Sequence, residues 1–144
     1  MLSPRATIIA EARSWLGTPF QHQAMLKGVG VDCVGLVIGV GLAAGVLSLD
    51  RRELPRYGRL PNPRMMGDLL ERYAVPVAEW RTADIPWVEW REGLPMHLGI
   101  IGEANGMPTI IHAAGNVGRV VEQTFTSEWE ERTVSFWRYP GVLS

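Results

Sequence analysis

The sequence predicts an α+β fold. Helical periodicity is confined to the first half of the chain, up to about residue 73. From Val75 onward, short β-type runs follow one another, separated by Gly, Pro and Asn. The two patterns occur as blocks, helices before strands, and not in the alternation of a βαβ chain.

Residues 4–16 carry Ile8, Ile9, Ala12, Trp15 and Leu16 at helical spacing. Ser3 suits the N-cap, Pro4 the first helical position and Gly17 the stop. Residues 17–31 read as a loop holding Pro19, Gly28 and Gly30. A second helix is expected from Asp32, a good N-cap, to about Ala44. Val34, Leu36, Val37, Ile38, Val40 and Leu42 make it apolar all round, so it should be buried. Gly35, Gly39 and Gly41 lower its intrinsic propensity but let a neighbouring element approach closely. A polar connection over 48–63 carries Arg51, Arg52, Arg56 and Arg59. Asn62-Pro63 then opens a third helix through Met65, Met66, Leu69, Leu70 and Tyr73. Strands are expected at about 84–91, 97–102, 108–113, 118–122 and 133–139, with Ser127 and Glu130 capping one helical turn before the last. A hairpin of 97–102 with 108–113 would bring His97 and His112 side by side.

At 144 residues the chain suits a single domain spanning 1–144. Hydrophobic residues make up 47% and charged residues 20%, which excludes a disordered chain, a collagen-like chain and a simple coiled coil. A net charge of −1 argues against electrostatic binding to nucleic acid or anionic lipid. Lys27 is the lone lysine beside thirteen arginines, a bias without a structural reading. No secretory signal is expected at the start, and the apolar run 34–49 is too short for a membrane span.

Cys33 is the single cysteine, so an internal disulfide and a four-cysteine zinc site are excluded. It falls in the first turn of the predicted second helix, where unpaired N–H groups and the positive dipole end favour a thiolate. The adjacent Asp32 acts the other way. Cysteine catalysis needs a thiol, a base for its proton and a group that orients the base. Cys33, His97 and His112 meet that need. The same residues also fit a buried hydrophobic Cys with two scattered His, or a Cys/His/His metal site lacking the usual close ligand pairs.

Local sequence separates these readings. Ala12-Arg13-Ser14-Trp15-Leu16-Gly17-Thr18-Pro19-Phe20 and Gly30-Val31-Asp32-Cys33-Val34-Gly35-Leu36-Val37 resemble the nucleophile region of the NlpC/P60 cysteine peptidases. His97-Leu98-Gly99-Ile100-Ile101-Gly102 and Ile110-Ile111-His112-Ala113 resemble that family's second and third blocks. The blocks span residues 12–113 in the family's order, and the likeness is nearest to single-domain members of phage and gene-transfer-agent tail clusters.

The resemblance implies a papain-like fold, with the nucleophile at a helix start packed on an antiparallel sheet. It implies Cys33 as nucleophile, His97 as the base in a thiolate–imidazolium pair, and His112 as the orienting third residue. It places the Cys33 N–H in an oxyanion hole, and Asp32, Phe20 and Val34 along the substrate cleft, while His22, on the loop that leads toward the nucleophile, is expected at the cleft rim. His22 and Asp32 also read as a solvated loop histidine and a helix cap. Phe20 and Val34 depart from the Tyr and Ser of the family pattern, which bears on substrate preference. No metal or organic cofactor is implied.

The substrate implied is a bacterial peptidoglycan stem peptide, cut near the bond between D-glutamate and the diamino acid. Delivery on a phage-like tail tip or baseplate is expected, with no nucleic acid partner and no membrane insertion. A structural tail subunit that keeps the fold is the alternative. Arg51, Arg52, Arg56 and Arg59, with an exposed Trp87 or Trp90, are the contacts expected for such a particle.

Overall fold

The protein was analysed as a computed structural model that describes residues 2–54, 62–91 and 93–142. The described elements are α1 (Pro4–Arg13), β1 (Met25–Leu26), β2 (Gly30–Val31), α2 (Cys33–Ala43), a 3-10 turn (Arg51–Glu53), α3 (Pro63–Tyr73), β3 (Val75–Val77), β4 (Ile85–Arg91), β5 (Leu94–Leu98), β6 (Ile100–Ala104), β7 (Met107–Ala114), β8 (Arg119–Thr124), α4 (Ser127–Glu131) and β9 (Thr133–Arg138). Arg56 and Arg59 of the polar connection lie outside the described residues.

The α+β arrangement is as expected, but its strands form two antiparallel sheets and a short ribbon. The four-stranded sheet runs β3-β9-β4-β5, the three-stranded sheet runs β6-β7-β8, and β1 pairs with β2. The expected run 97–102 divides at Gly99. Its first part, β5, pairs with β4, and its second part, β6, pairs with β7. A Cβ at Gly99 would stand 2.7 Å from the Ile110 side chain, so the crossing between sheets needs a residue without one. Backbone bonds from Ala83 N to the Ile101 carbonyl (2.7 Å) and from Ile101 N to the Asp84 carbonyl (2.9 Å) tie the sheets at one end.

Helix α2 runs through the main core, with Cys33 to Gly41 buried. Its glycines allow this. A Cβ at Gly39 would lie 2.7 Å from the Trp15 ring, and one at Gly41 would lie 2.6 Å from Leu47 and 2.7 Å from Tyr139. The lost propensity, about 1 kcal/mol per glycine, is offset by close packing of α1 and the C-terminal segment. Tyr139 adds a buried hydroxyl donating to the Val37 carbonyl at 2.6 Å. A smaller core of Val88, Ile101, Ile110, Phe125 and Trp129 lies apart from this one.

Three local expectations change. Helix α1 stops at Arg13, so Leu16 falls past its end and is exposed, while Trp15 still turns into the core. The cap of α4 is Thr126, whose Oγ1 accepts from Trp129 N, and not Ser127. Neither Trp87 nor Trp90 is exposed; both are half-buried. Trp87 donates its indole N–H to the Pro95 carbonyl at 2.8 Å, and register shifts along β4 turn Trp90 into the site described next.

At the far end of the sheet, Asp84 is completely buried. Its carboxylate accepts from Arg138 Nε and Nη2, both at 2.9 Å, and from Arg5 Nη1 at 3.2 Å. This triad joins α1 to one end of the β4–β9 pair, where the start of β4 meets the end of β9.

Candidate active site

Cys33 opens α2. Asp32 caps the helix, its Oδ1 accepting from Gly35 N at 2.7 Å, and its Oδ2 accepts from Gln23 N at 2.9 Å. The first bond fixes the helix start; the second ties the loop before it. The Cys33 thiol therefore has a defined direction, into a cavity of about 700 Å³ shared with Phe20, Trp90, His97, His112 and Arg132.

His97 comes from β5 and His112 from β7. His97 Nε2 lies 2.8 Å from His112 Nδ1, and the rings meet edge to face. His112 Nε2 continues the chain, 2.8 Å from Gln123 Oε1. The thiol's hydrogen bond goes to the Met96 carbonyl at 4.0 Å, one residue before His97, and not to the His97 ring.

Aromatic packing fixes both rings. Trp90 stacks on His97 with centroids 4.1 Å apart and planes 21° apart. Trp129 meets His112 edge-on at 5.0 Å. The Arg132 guanidinium lies 5.6 Å from the Trp90 ring and 5.3 Å from the Trp129 ring, and its Nη2 donates to the Glu89 carbonyl at 3.0 Å.

The electrostatics bear on the thiolate–imidazolium pair expected from the sequence. Burial, aided by the Asp32 charge, pushes the Cys33 thiol up to about 12. The N–H groups of Leu98, Val34 and Cys33 act in the opposite sense but do not prevail. Burial, with His112 and Arg132 nearby, holds His97 well below the usual histidine range. Burial also lowers His112, against the hydrogen bond that its ring donates to Gln123 Oε1. Burial in this dry site thus works against both the thiolate and the imidazolium at rest.

The other expected residues divide. Phe20 and Asp32 line the cavity. Val34 does not; it faces a neighbouring groove of about 760 Å³ with Gln23, Met25, Arg51 and Arg52, which Asp32 also borders. His22 is half-buried, with Nε2 3.4 Å from Gln23 Nε2, and stands outside the lining of the Cys33 cavity. Among the described residues, no group of three His, Cys, Asp or Glu side chains is placed to hold a metal ion.

Sequence reasoning missed Gln123, Trp129 and Arg132. Gln123 reaches His112 because His112 pairs opposite Val121 and Gln123 is the diagonal neighbour on that face. Only the strand register reveals that.

No protein-family model matches the sequence, and no curated protein matches it. Solved structures do. A protein similar to a lipoprotein of the NLP/P60 family from Staphylococcus aureus aligns over 95% of this chain and 41% of its own, at 17% identity and a TM-score of 0.62. This chain thus spans about two fifths of that protein's length. The NlpC/p60 domain of the peptidoglycan hydrolase SagA aligns over 93% of this chain and 97% of its own, at 20% identity and a TM-score of 0.56. An N-acetylmuramoyl-L-alanine amidase from Bacteroides uniformis aligns over 94% and 98%, at 12% identity and a TM-score of 0.64. The chain has the papain-like α+β fold that these NlpC/P60 structures share.

Proposed function

We propose that this protein is a cell-wall hydrolase of the NlpC/P60 kind that cuts an amide bond of peptidoglycan stem peptides through a Cys33 thioester. The observation that carries the reading is the meeting of the α2 N-terminus with the His97–His112 pair in one cavity. The fold shared with a peptidoglycan hydrolase and an amidase supports the substrate class.

In this reading the thiol passes its proton to His97 as the sulfur attacks the amide carbonyl. His97 Nε2 is engaged by His112, so Nδ1 takes the proton. The Cys33 backbone N–H, at a helix start, stabilises the oxyanion. The tetrahedral intermediate collapses, the C–N bond breaks and Nδ1–H protonates the departing amine. Water, deprotonated by the same nitrogen, hydrolyses the thioester and frees the thiol. A neutral resting pair fits a sequence in which charge forms only once substrate has filled the cavity.

Purified peptidoglycan incubated with wild type and with Cys33→Ala, with fragments identified by mass, tests this. Wild type should release fragments and Cys33→Ala none, and the fragment masses name the bond. Release of nothing by the wild type favours the rival, a structural tail-tip or baseplate subunit. Carriage on a phage-like tail is proposed from the sequence likeness; mass spectrometry of purified particles tests it.

A further inference from the structure

We propose that Gln123 is a positioning residue that sets the tautomers of both histidines, and thereby leaves Nδ1 of His97 free to act as the base. The proposal rests on the hydrolase reading for its purpose, but its geometry stands apart from it. A neutral imidazole carries one N–H. The Gln123 oxygen at 2.8 Å can only accept, so the proton of His112 sits on Nε2. His112 Nδ1 is then a lone pair, and it faces His97 Nε2 at 2.8 Å. His97 must donate there. Its own proton is on Nε2, and Nδ1 carries the lone pair.

Without that acceptor the chain can reverse. His112 is free to place its proton on Nδ1 and donate to His97 Nε2. The proton of His97 then moves to Nδ1, and the base is blocked. A contact outside the Cys–His–His set thus decides whether the set can work. The charged and titratable groups around the pair are Asp32 and Cys33 from α2, Arg91 from β4 and Arg132 after α4. Among the described residues, the hydrogen bond at His112 Nε2 is to Gln123. Gln123 stands exposed at the rim, so replacing it removes little packing.

Long-range proton–nitrogen spectra of the full chain, labelled with nitrogen-15 in its histidine rings, read the tautomers directly. Wild type should show Nε2–H at both His97 and His112. Gln123→Leu should lose that pattern and lower kcat on soluble peptidoglycan stem peptides by about tenfold or more, with KM within about twofold. Gln123→Glu should restore the tautomers and kcat at high pH. Its carboxylate favours imidazolium, so the acidic limb of the rate profile should move to higher pH. Nδ1–H at either ring in wild type, or unchanged tautomers in Gln123→Leu, would overturn the proposal. Correct tautomers in a wild type that hydrolyses no stem peptide would sink the hydrolase reading and leave the Gln123 assignment standing.

Discussion

Trp90 lies flat against His97, with ring centroids 4.1 Å apart and planes only 21° apart. A histidine that must aim one nitrogen at a thiol and the other at His112 has two rotatable bonds to hold. The indole supplies a broad wall against which the ring stays in one plane, a contact worth about 0.5–1.5 kcal/mol beyond area burial.

Replacing that wall should therefore damage rate more than binding. Trp90→Leu is expected to lower kcat on stem peptides by roughly ten- to a hundredfold, the cost of a ring displaced by about an ångström. Trp90→Phe keeps a flat face and should retain most of the rate. Equal losses in both variants would show that something other than the flat contact matters.

Asp32 has two separable roles, a helix cap and a negative charge beside Cys33. Asp32→Asn keeps the capping oxygen and removes the charge, together with the second oxygen that accepts from Gln23 N. The thiol should then ionise more readily, and alkylation of Cys33 by iodoacetamide at pH 8 should rise roughly three- to tenfold. In the wild type that reaction should be slower than for a free cysteine, opposite to the fast alkylation that a resting thiolate would give. Rapid alkylation of the wild type at pH 6–7 would refute the neutral resting pair.

Stability should peak near neutrality. Below about pH 6.5 the unfolded chain takes up histidine protons that the folded chain refuses, because burial lowers His97 and His112. Above about pH 8.5 the unfolded chain loses a thiol proton that folded Cys33 keeps up to about 12. Melting temperature should thus fall on both sides of that window. His97→Leu should flatten the acid side and Cys33→Ala the alkaline side. Calorimetry on the three proteins across pH decides it, and parallel curves would contradict it.

The Asp84 carboxylate is fully buried, and two arginines converge on it. Asp84→Ala strands both cations and should cost about 3–5 kcal/mol in urea unfolding. Since the triad lies away from the Cys33 cavity, the protein that does fold should keep its KM. A loss below about 1 kcal/mol would mean that water replaces the carboxylate.

Much of this was legible in the sequence because the deciding signals were local. Ser3-Pro4, Asp32 and Asn62-Pro63 each carry a cap in two residues, and each opens its helix. Cys33 at a helix start followed from the same reading; His97 near His112 was expected from one hairpin, and the two do meet, but across two sheets. What escaped depends on register and crossing. Residues 97–102 read as one apolar strand because nothing in composition marks the change of sheet at Gly99. An exposed Trp87 or Trp90 was expected, but register shifts in β4 turn Trp90 inward. The packing around His97 comes from Trp90 and Trp129, and a nearby charge from Arg132, residues brought in by the closing of the fold.

The crossing at Gly99 gives the His97–His112 bond a mechanical meaning. The two rings belong to different sheets, fastened to each other at the Ile101–Asp84 end. Their 2.8 Å contact is thus a strain gauge laid across a seam. Sliding one sheet past the other by about 1 Å would stretch it beyond hydrogen-bonding range, long before either sheet loses a rung.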